Sequence, residues 1–372
     1  MSLPTSMKAL VIEADHLTLK EVPLPPLNDN HVLIKNVAIA ANPTDWKHID
    51  YNIGPKGSIC GCDAAGVIVK LGANVDSSKY KVGQKVYGVV HGSSVTYPKN
   101  GAFAEYSTLD PQVMYVPNQD IEVSGKDTIP AGPVKYFEDV ATFPVSLTTA
   151  GNVLYYNFGL DLVWEPAKPQ RDHPILFWGG ATAVGQPFIQ LAKKLHGYTK
   201  IIAVASKKHE AKLKSYGADE VFDYHDADVI EQIKKKYPDI QTLVDCVSNE
   251  DTIQQVYKVA SDDKPARILH LTTLSIDNIP VSERRENKKI ETSLLYLAGG
   301  YDVPFGPVTI PADLEYRKHA IEFMKFINPY VNAGEIEHIP VKVHKGGLND
   351  VSQMVDDIRK GRNSGQKLVA IL

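Results

Sequence analysis

Three glycines and a threonine fall close together in Gly179-Gly180-Ala181-Thr182-Ala183-Val184-Gly185. The apolar run Ile175–Trp178 precedes them, and an amphipathic segment reaching Leu195 follows. A buried strand, a tight glycine turn and a helix let backbone N–H groups at a helix N-terminus approach a pyrophosphate. Aligned on its last six residues, the turn reads Gly180-x-Thr182-x-x-Gly185, with threonine where the dinucleotide fingerprint carries its middle glycine. The neighbouring Gly179 moves the close approach one residue earlier, and the Thr182 hydroxyl becomes a candidate donor to a phosphate oxygen. Ala183 and Val184 complete the expected row of cofactor-facing residues.

The second test of a dinucleotide site lies about 20 residues on, where an NAD enzyme places Asp or Glu against the ribose 2′-OH. Here the second strand runs out into Ala205-Ser206-Lys207-Lys208-His209. A carboxylate would repel a 2′-phosphate, whereas a hydroxyl and two ammonium groups bind it. Lysines at the start of a helix oppose its dipole, so an anion explains them better than a merely solvated end. The expected cofactor is NADPH.

Metal and nucleophile chemistry find less support. Cys60-Gly61-Cys62 places two thiols one residue apart, with His48 and His91 as further donors in the same region. A zinc site needs three or four ligands at workable spacing, and no CxxC or four-cysteine lobe is present. These cysteines read as buried structural side chains, and the expected metal is none. Nor is there a G-x-S-x-G elbow to support an acyl-enzyme.

The elements that must position these residues come in two textures. Up to about Val145 the chain offers short β-like runs at Met7–Ile12, Val32–Ala40, Ala65–Leu71, Gln84–Val90 and Ala102–Leu109, punctuated by Gly and Pro. A partly open β-barrel is the expectation. Pro144–Gly159 then has helical spacing. From Ile175 the chain alternates: strands at Ile201–Ala205, Glu220–Asp223, Thr242–Val247 and Arg267–Leu271, helices at 184–195, 209–216, 226–237 and 251–260. That alternation predicts right-handed βαβ units and a doubly wound parallel sheet. Its last strand is expected at Glu291–Ala298, followed by an irregular Gly/Pro-rich stretch, 299–312. Helices at 313–331 and Leu348–Arg359, with strands in IEHIPVKVHK and at Lys367–Leu372, are expected to fold back onto the first domain.

The totals agree with a soluble globular protein. A length of 372 residues favours two domains, 43% apolar content supplies cores, and a net charge of −4 argues against nucleic acid as a partner. Three cysteines cannot build a disulfide framework, which favours a reducing compartment. The opening MSLPTSMKALVIE lacks signal- and transit-peptide patterns, and no run reaches the ~18 apolar residues of a membrane span. Cytoplasmic location and no membrane partner are the expectations.

Taken together, the chain resembles the medium-chain dehydrogenase/reductase superfamily. The resemblance rests on NPTDW at Asn42–Trp46, GCDAAGVIVKLG at 61–72, KVGQKVYG at 81–88, GAFAEY at 101–106, the glycine turn and the closing SGQKLVAIL. Zinc-dependent members carry Cys or His at Asn42-Pro43 and Gly-His-Glu at Gly61-Cys62-Asp63, so the resemblance is to the zinc-free branch of quinone oxidoreductases and fungal trans-acting enoyl reductases. GGATAVGQ and DYHDADVIEQIKKKY are nearly the wording of a group of yeast alcohol-dehydrogenase-like proteins. The implied fold is a Rossmann doubly wound parallel sheet, residues 146–310, inserted into a GroES-like partly open β-barrel domain, residues 1–145 plus 311–372.

The resemblance also implies roles. Ser206 and Lys208, with Tyr224, fall at the 2′-phosphate; Lys207 beside them and Lys367 are further expected cofactor-binding residues. Lys47, Thr149 and Asn42 fall around the nicotinamide and the substrate carbonyl. The threonine at 182 recurs in related fungal sequences. The expected reaction is metal-independent hydride transfer from NADPH to an α,β-unsaturated carbonyl or a quinone. The alternatives are a zinc-free aldehyde reductase and a catalytically quiet NADPH-binding sensor or partner subunit. The expected partner is a small-molecule carbonyl substrate, with the chain a monomer or homodimer.

Overall fold

The first two strands, β1 (Ser6–Glu13) and β2 (His16–Pro23), pair into an antiparallel hairpin. Ala14, with φ of 52°, makes the left-handed step between them. β1 buries Met7, Ala9 and Val11, whereas β2 is mostly exposed and polar, and hydrophobic patterning does not reveal it. β3 (Val32–Ala40) leads into a short helix, α1 (Pro43–Asp50), that the sequence analysis did not anticipate. β4 (Asp63–Leu71), β5 (Lys85–Val89), β6 (Tyr106–Leu109), β7 (Met114–Tyr115) and β8 (Thr128–Ile129) follow. α2 (Phe137–Val140) and α3 (Pro144–Asn152) close the first part. The helical stretch expected to reach Gly159 changes to a π turn at Val153–Asn157.

The computed structural model describes residues 3–372 and divides into two units. One runs to Thr148 and resumes at Tyr296; the other is Thr149–Leu295. The second unit is built on β9 (Ile175–Trp178), α4 (Gly185–Lys194), β10 (Ile201–Val204), α5 (Glu210–Tyr216), β11 (Glu220–Phe222), α6 (Val229–Lys236), β12 (Thr242–Asp245), α7 (Glu250–Val259), β13 (Ala266–His270) and β14 (Lys288–Thr292). All six strands are parallel, in the order β11-β10-β9-β12-β13-β14. This is the doubly wound order, with the crevice for a ligand at the carboxyl ends of β9 and its neighbours. Every side chain of β9 and β10 is buried, as befits strands covered on both faces. Each large apolar side chain so buried contributes roughly 1.5–3 kcal/mol.

The last sheet strand corrects the expectation of Glu291–Ala298. β14 lies at Lys288–Thr292, and the apolar Leu295–Gly299 is a 3-10 helix. The edge strand is charged, which guards it against further pairing, so hydrophobicity pointed to the wrong segment.

The returning segment carries β15 (Val303–Phe305) and β16 (Val308–Ile310), an antiparallel hairpin inside the stretch expected to be irregular. α8 (Leu314–Asn332), β17 (Val341–His344), α9 (Leu348–Arg359) and β18 (Lys367–Ile371) follow. β18 pairs antiparallel with β3, Val369 opposite Ala40, and joins the eight-stranded sheet of the first unit. α9 contributes Leu348, Val351, Met354 and Val355 to that unit's core beside Ile34, Ile68, Val86 and Phe103. No helix among the described residues is long and apolar enough to cross a membrane.

Candidate functional site

Each glycine of the nucleotide turn has its own physical reason. Gly179 has φ of 82°, and a Cβ there would stand 2.7 Å from Val247 Cγ2. A Cβ on Gly180 would meet Ala203 Cβ at 2.9 Å, where the turn packs on β10. On Gly185 it would meet the Gly179 carbonyl oxygen at 2.4 Å, so only glycine lets α4 begin here. The N–H groups of Ala181, Ala183 and Val184 make no hydrogen bond within the described residues. Open amides ahead of a ten-residue helix fit a pyrophosphate. Thr182 Oγ1 accepts the Gly185 N–H at 3.0 Å. The threonine thus takes up the first N–H of α4, and its own O–H remains the group able to donate outward.

The basic cluster follows β10 directly. Ser206 is half-buried and Lys207 and Lys208 are exposed, on a 3-10 turn at Lys207–His209. One carboxylate, Asp223, stands just past β11. It accepts the Lys207 N–H at 2.9 Å and the His225 Nδ1 at 2.6 Å. The backbone N–H groups of His225 and Lys207 hold it down at about 2. Both of its oxygens are thus engaged by this loop. Tyr224 is half exposed, its ring 4.1 Å from that of His225. Burial, then the neighbouring Lys208 ammonium, pushes His209 down and leaves it neutral.

In the first unit, α1 begins at Asn42. Pro43 takes the first helical position, and the Asp45 carboxylate reaches back to the Asn42 N–H at 2.7 Å. The Asn42 side chain faces inward: Nδ2 donates to Asp63 Oδ2 at 2.8 Å, and Oδ1 accepts from Lys367 Nζ. Lys367 Nζ also lies 2.8 Å from Asp63 Oδ2, and the other Asp63 oxygen accepts the Val145 N–H at 2.7 Å. Lys367 and Asp63 are 2% and 0% exposed. The ammonium assigned to the cofactor is thus committed to a buried ion pair that holds Asn42 in place. Lys47 is half-buried on α1, with Nζ 5.6 Å from the centre of the Trp46 ring. Lys47 belongs to the first unit, and Thr149, buried on α3, opens the second. Structure brings Asn42 and Lys367 together, and the glycine turn likewise gathers its own residues.

Four residues of the first unit escaped sequence reading. Asp45 carried a signal, the Asn-x-x-Asp of a helix start. Asp63, Tyr296 and Tyr301 carried none, since their partners are remote in sequence. The Tyr296 hydroxyl lies 2.8 Å from Thr44 Oγ1 and 3.4 Å from Cys62 Sγ, and its ring stacks on His91 at 3.8 Å. His91 Nδ1 meets the Tyr301 hydroxyl at 2.9 Å. Burial drives His91 down to about 3, with His48 adding to the effect, so both it and the similarly lowered His48 are neutral.

These donors do not fit a zinc ion. The positions at issue hold an amide, a thiol bonded to a tyrosine and a carboxylate already paired with an ammonium. No group of three or more His, Cys, Asp or Glu among the described residues is arranged to hold a metal.

All three cysteines are buried, and burial pushes every thiol up, with Asp45 adding to it at Cys60 and Cys62 and Asp245 at Cys246. A protonated, covered thiol is inert toward electrophiles. In a thiol titration with an aromatic disulfide reagent, the native chain stays unlabelled over the time in which the denatured chain releases three equivalents. Rapid native labelling would show that these side chains are accessible.

Comparisons with known proteins bear on the family and the fold. Residues 28–119 match the alcohol dehydrogenase GroES-like domain, and residues 183–268 the zinc-binding dehydrogenase domain. An uncharacterized protein of Saccharomyces cerevisiae is 61% identical over 372 residues, covering 100% of this chain and 99% of that one. A trans-enoyl reductase of Alternaria alternata is 33% identical over 363 residues, covering 97% and 98%. Among solved structures, the quinone oxidoreductase from Coxiella burnetii superposes with a TM-score of 0.69 at 21% identity, covering 99% of both chains, a likeness of fold.

Proposed function

The chain belongs to the medium-chain dehydrogenase/reductase superfamily, in the branch of the fungal enoyl reductases, and from that premise we propose that it reduces an α,β-unsaturated carbonyl or a quinone with NADPH. The observation that carries the choice of cofactor is Ser206-Lys207-Lys208 after β10, with the Asp223 carboxylate turned to the loop backbone. The enoyl and quinone acceptors come from the relatives named above, a trans-enoyl reductase and, by fold, a quinone oxidoreductase.

Bound NADPH would supply a hydride to the β-carbon of an enone, sending the π electrons to the carbonyl oxygen as an enolate, which takes its proton from water. This chain's residues supply the rest. Amides at Ala181, Ala183 and Val184 and the O–H of Thr182 bind the pyrophosphate, and Ser206, Lys207 and Lys208 the 2′-phosphate. Developing negative charge on an oxygen needs a donor or a cation, and Lys47 is the residue proposed for it. Asn42, fixed by Asp63 and Lys367, lines the same region in this reading.

Fluorescence titration of NADPH and NADH, then a panel of enones, quinones and saturated aldehydes, tests the proposal. NADPH binds more tightly, and enones or quinones oxidise it. Turnover confined to saturated aldehydes would replace the reaction, and binding without any turnover would mark a sensor. Replacing Lys207 and Lys208 together by alanine weakens NADPH binding by about 10–100-fold, the worth of hydrogen bonds to a charged group, and leaves NADH unchanged. Equal losses for both dinucleotides would remove these lysines from the 2′-phosphate.

A further inference from the structure

The polar cluster under α1 holds one negative charge too many. Asp45 and Asp63 are both buried, at 1% and 0% exposed, and among the described residues Lys367 is the only cation facing them. The other titratable groups there are neutral: Cys60 and Cys62 from the segment before β4, with raised thiols, and Tyr296, raised well above its ordinary value. His48, on the same helix, faces Thr44 at 2.8 Å instead and is neutral too. Arg359 of α9 pairs with Asp50 at the far end of α1.

Two carboxylates and one ammonium balance only if one carboxyl takes a proton. Asp63 has the ammonium at 2.8 Å, the Asn42 amide and the Val145 N–H. Asp45 has one ordinary partner, the Asn42 N–H on Oδ2, and its Oδ1 has none. An acceptor oxygen left bare in a dry interior is costly, and a proton there turns it into a neutral acid.

We propose that Asp45 is a positioning residue whose protonated carboxyl locks the first turn of α1, and whose ionisation loosens that turn together with Thr44, Lys47 and His48. A second buried negative charge beside Asp63 can reach water only by moving outward. The short bond on the Asp45 carboxyl is the helix-start bond from the Asn42 N–H, so the turn moves with it. The consequence for turnover rests on the reading that α1 brings Lys47 to the substrate; the structural consequence does not.

Burial, with Asp63 adding to it against the Asn42 N–H, Lys367 and Cys62, lifts Asp45 from 3.8 to about 7. The folded chain therefore keeps a proton that the unfolded chain has lost. The stability this group contributes is full below about pH 4 and is lost as pH rises through about 7.

The test compares the full chain with Asp45→Asn, the neutral isostere, at about pH 5.5 and about pH 8.5. In infrared difference spectra the wild type shows a protonated-carboxyl C=O band that disappears on going to the higher pH, and the variant shows no such change. Amide hydrogen exchange over residues 43–50, corrected for its intrinsic pH dependence, speeds several-fold in the wild type only. The variant melts higher than the wild type at both pH values, by a wider margin at the upper one. The kcat/KM profile loses its inflection near neutrality in the variant, which a purely structural role would not produce.

A wild-type spectrum without a titrating carboxyl band overturns the proposal. So does a pH response of exchange or kcat/KM that is the same in both proteins. Should the variant not fold, the wild-type exchange data decide alone, since pH-independent exchange across 43–50 overturns the lock. Should no substrate turn over, the spectral, exchange and melting results still judge Asp45 separately from the proposed activity.

Discussion

Lys367→Met destabilises the folded chain by about 3–5 kcal/mol, the cost of stranding a buried charge whose partner is removed. The size follows from how completely Asp63 is enclosed. Its carboxylate is 0% exposed, and of its three partners only Lys367 neutralises it. Methionine fills the space of the lysine stem and leaves the anion with two neutral donors. Asn42 loses its hold as well, because its Oδ1 accepts from the same ammonium. Urea unfolding followed by far-UV circular dichroism measures the loss. Adding Asp63→Asn to Lys367→Met recovers a large part of it, since the stranded charge is then gone. A single variant within about 1 kcal/mol of wild type would mean that water or a shifted side chain solvates Asp63, which the burial argues against.

The same residues show what can be read from a sequence and what cannot. β9 was legible because a parallel strand covered on both faces must be apolar throughout, and Ile175–Trp178 is. The strand-helix alternation then implied the doubly wound sheet, whose order β11-β10-β9-β12-β13-β14 places the turn at the crevice. Hydrophobic pattern failed where its physical basis failed. β14 is an edge strand, KKIET, with nothing to bury on its open side, while the apolar residues at 295–298 serve a 3-10 helix. The site divides the same way. Gly179, Gly180 and Gly185 announce themselves because a tight backbone has one suitable side chain, namely none. Asp63 and Tyr296 do not, because their roles come from partners such as Lys367 and Thr44, hundreds of residues away. Thr182 falls between. Its place in the turn was legible, but the bond that occupies its oxygen, from the Gly185 N–H, is visible only in three dimensions.

Gly185→Ala abolishes dinucleotide binding, weakening NADPH by about 100-fold or more, because the turn and the cofactor amides are one object. A methyl carbon at 185 would sit 2.4 Å from the Gly179 carbonyl oxygen and 2.8 Å from that of Gly180. Both obstacles are backbone, so no rotamer change relieves them. Either α4 moves off the turn or the turn opens. In each case the N–H groups of Ala181, Ala183 and Val184 lose their common direction, and Thr182 loses the Gly185 N–H it accepts. The rest of the unit has little reason to unfold, since the β9–β12 core is packed below the turn by Leu176, Ile202, Val204 and Leu243. The expected signature is therefore lost NADPH and NADH fluorescence titration with a nearly unchanged far-UV spectrum. Gly132→Ala is the control, because a Cβ there meets nothing within 4 Å and its φ is not left-handed. It leaves binding intact. A Gly185→Ala chain that bound NADPH like wild type would place the pyrophosphate elsewhere, and the glycine turn would then serve only to pack α4 onto β9 and β10.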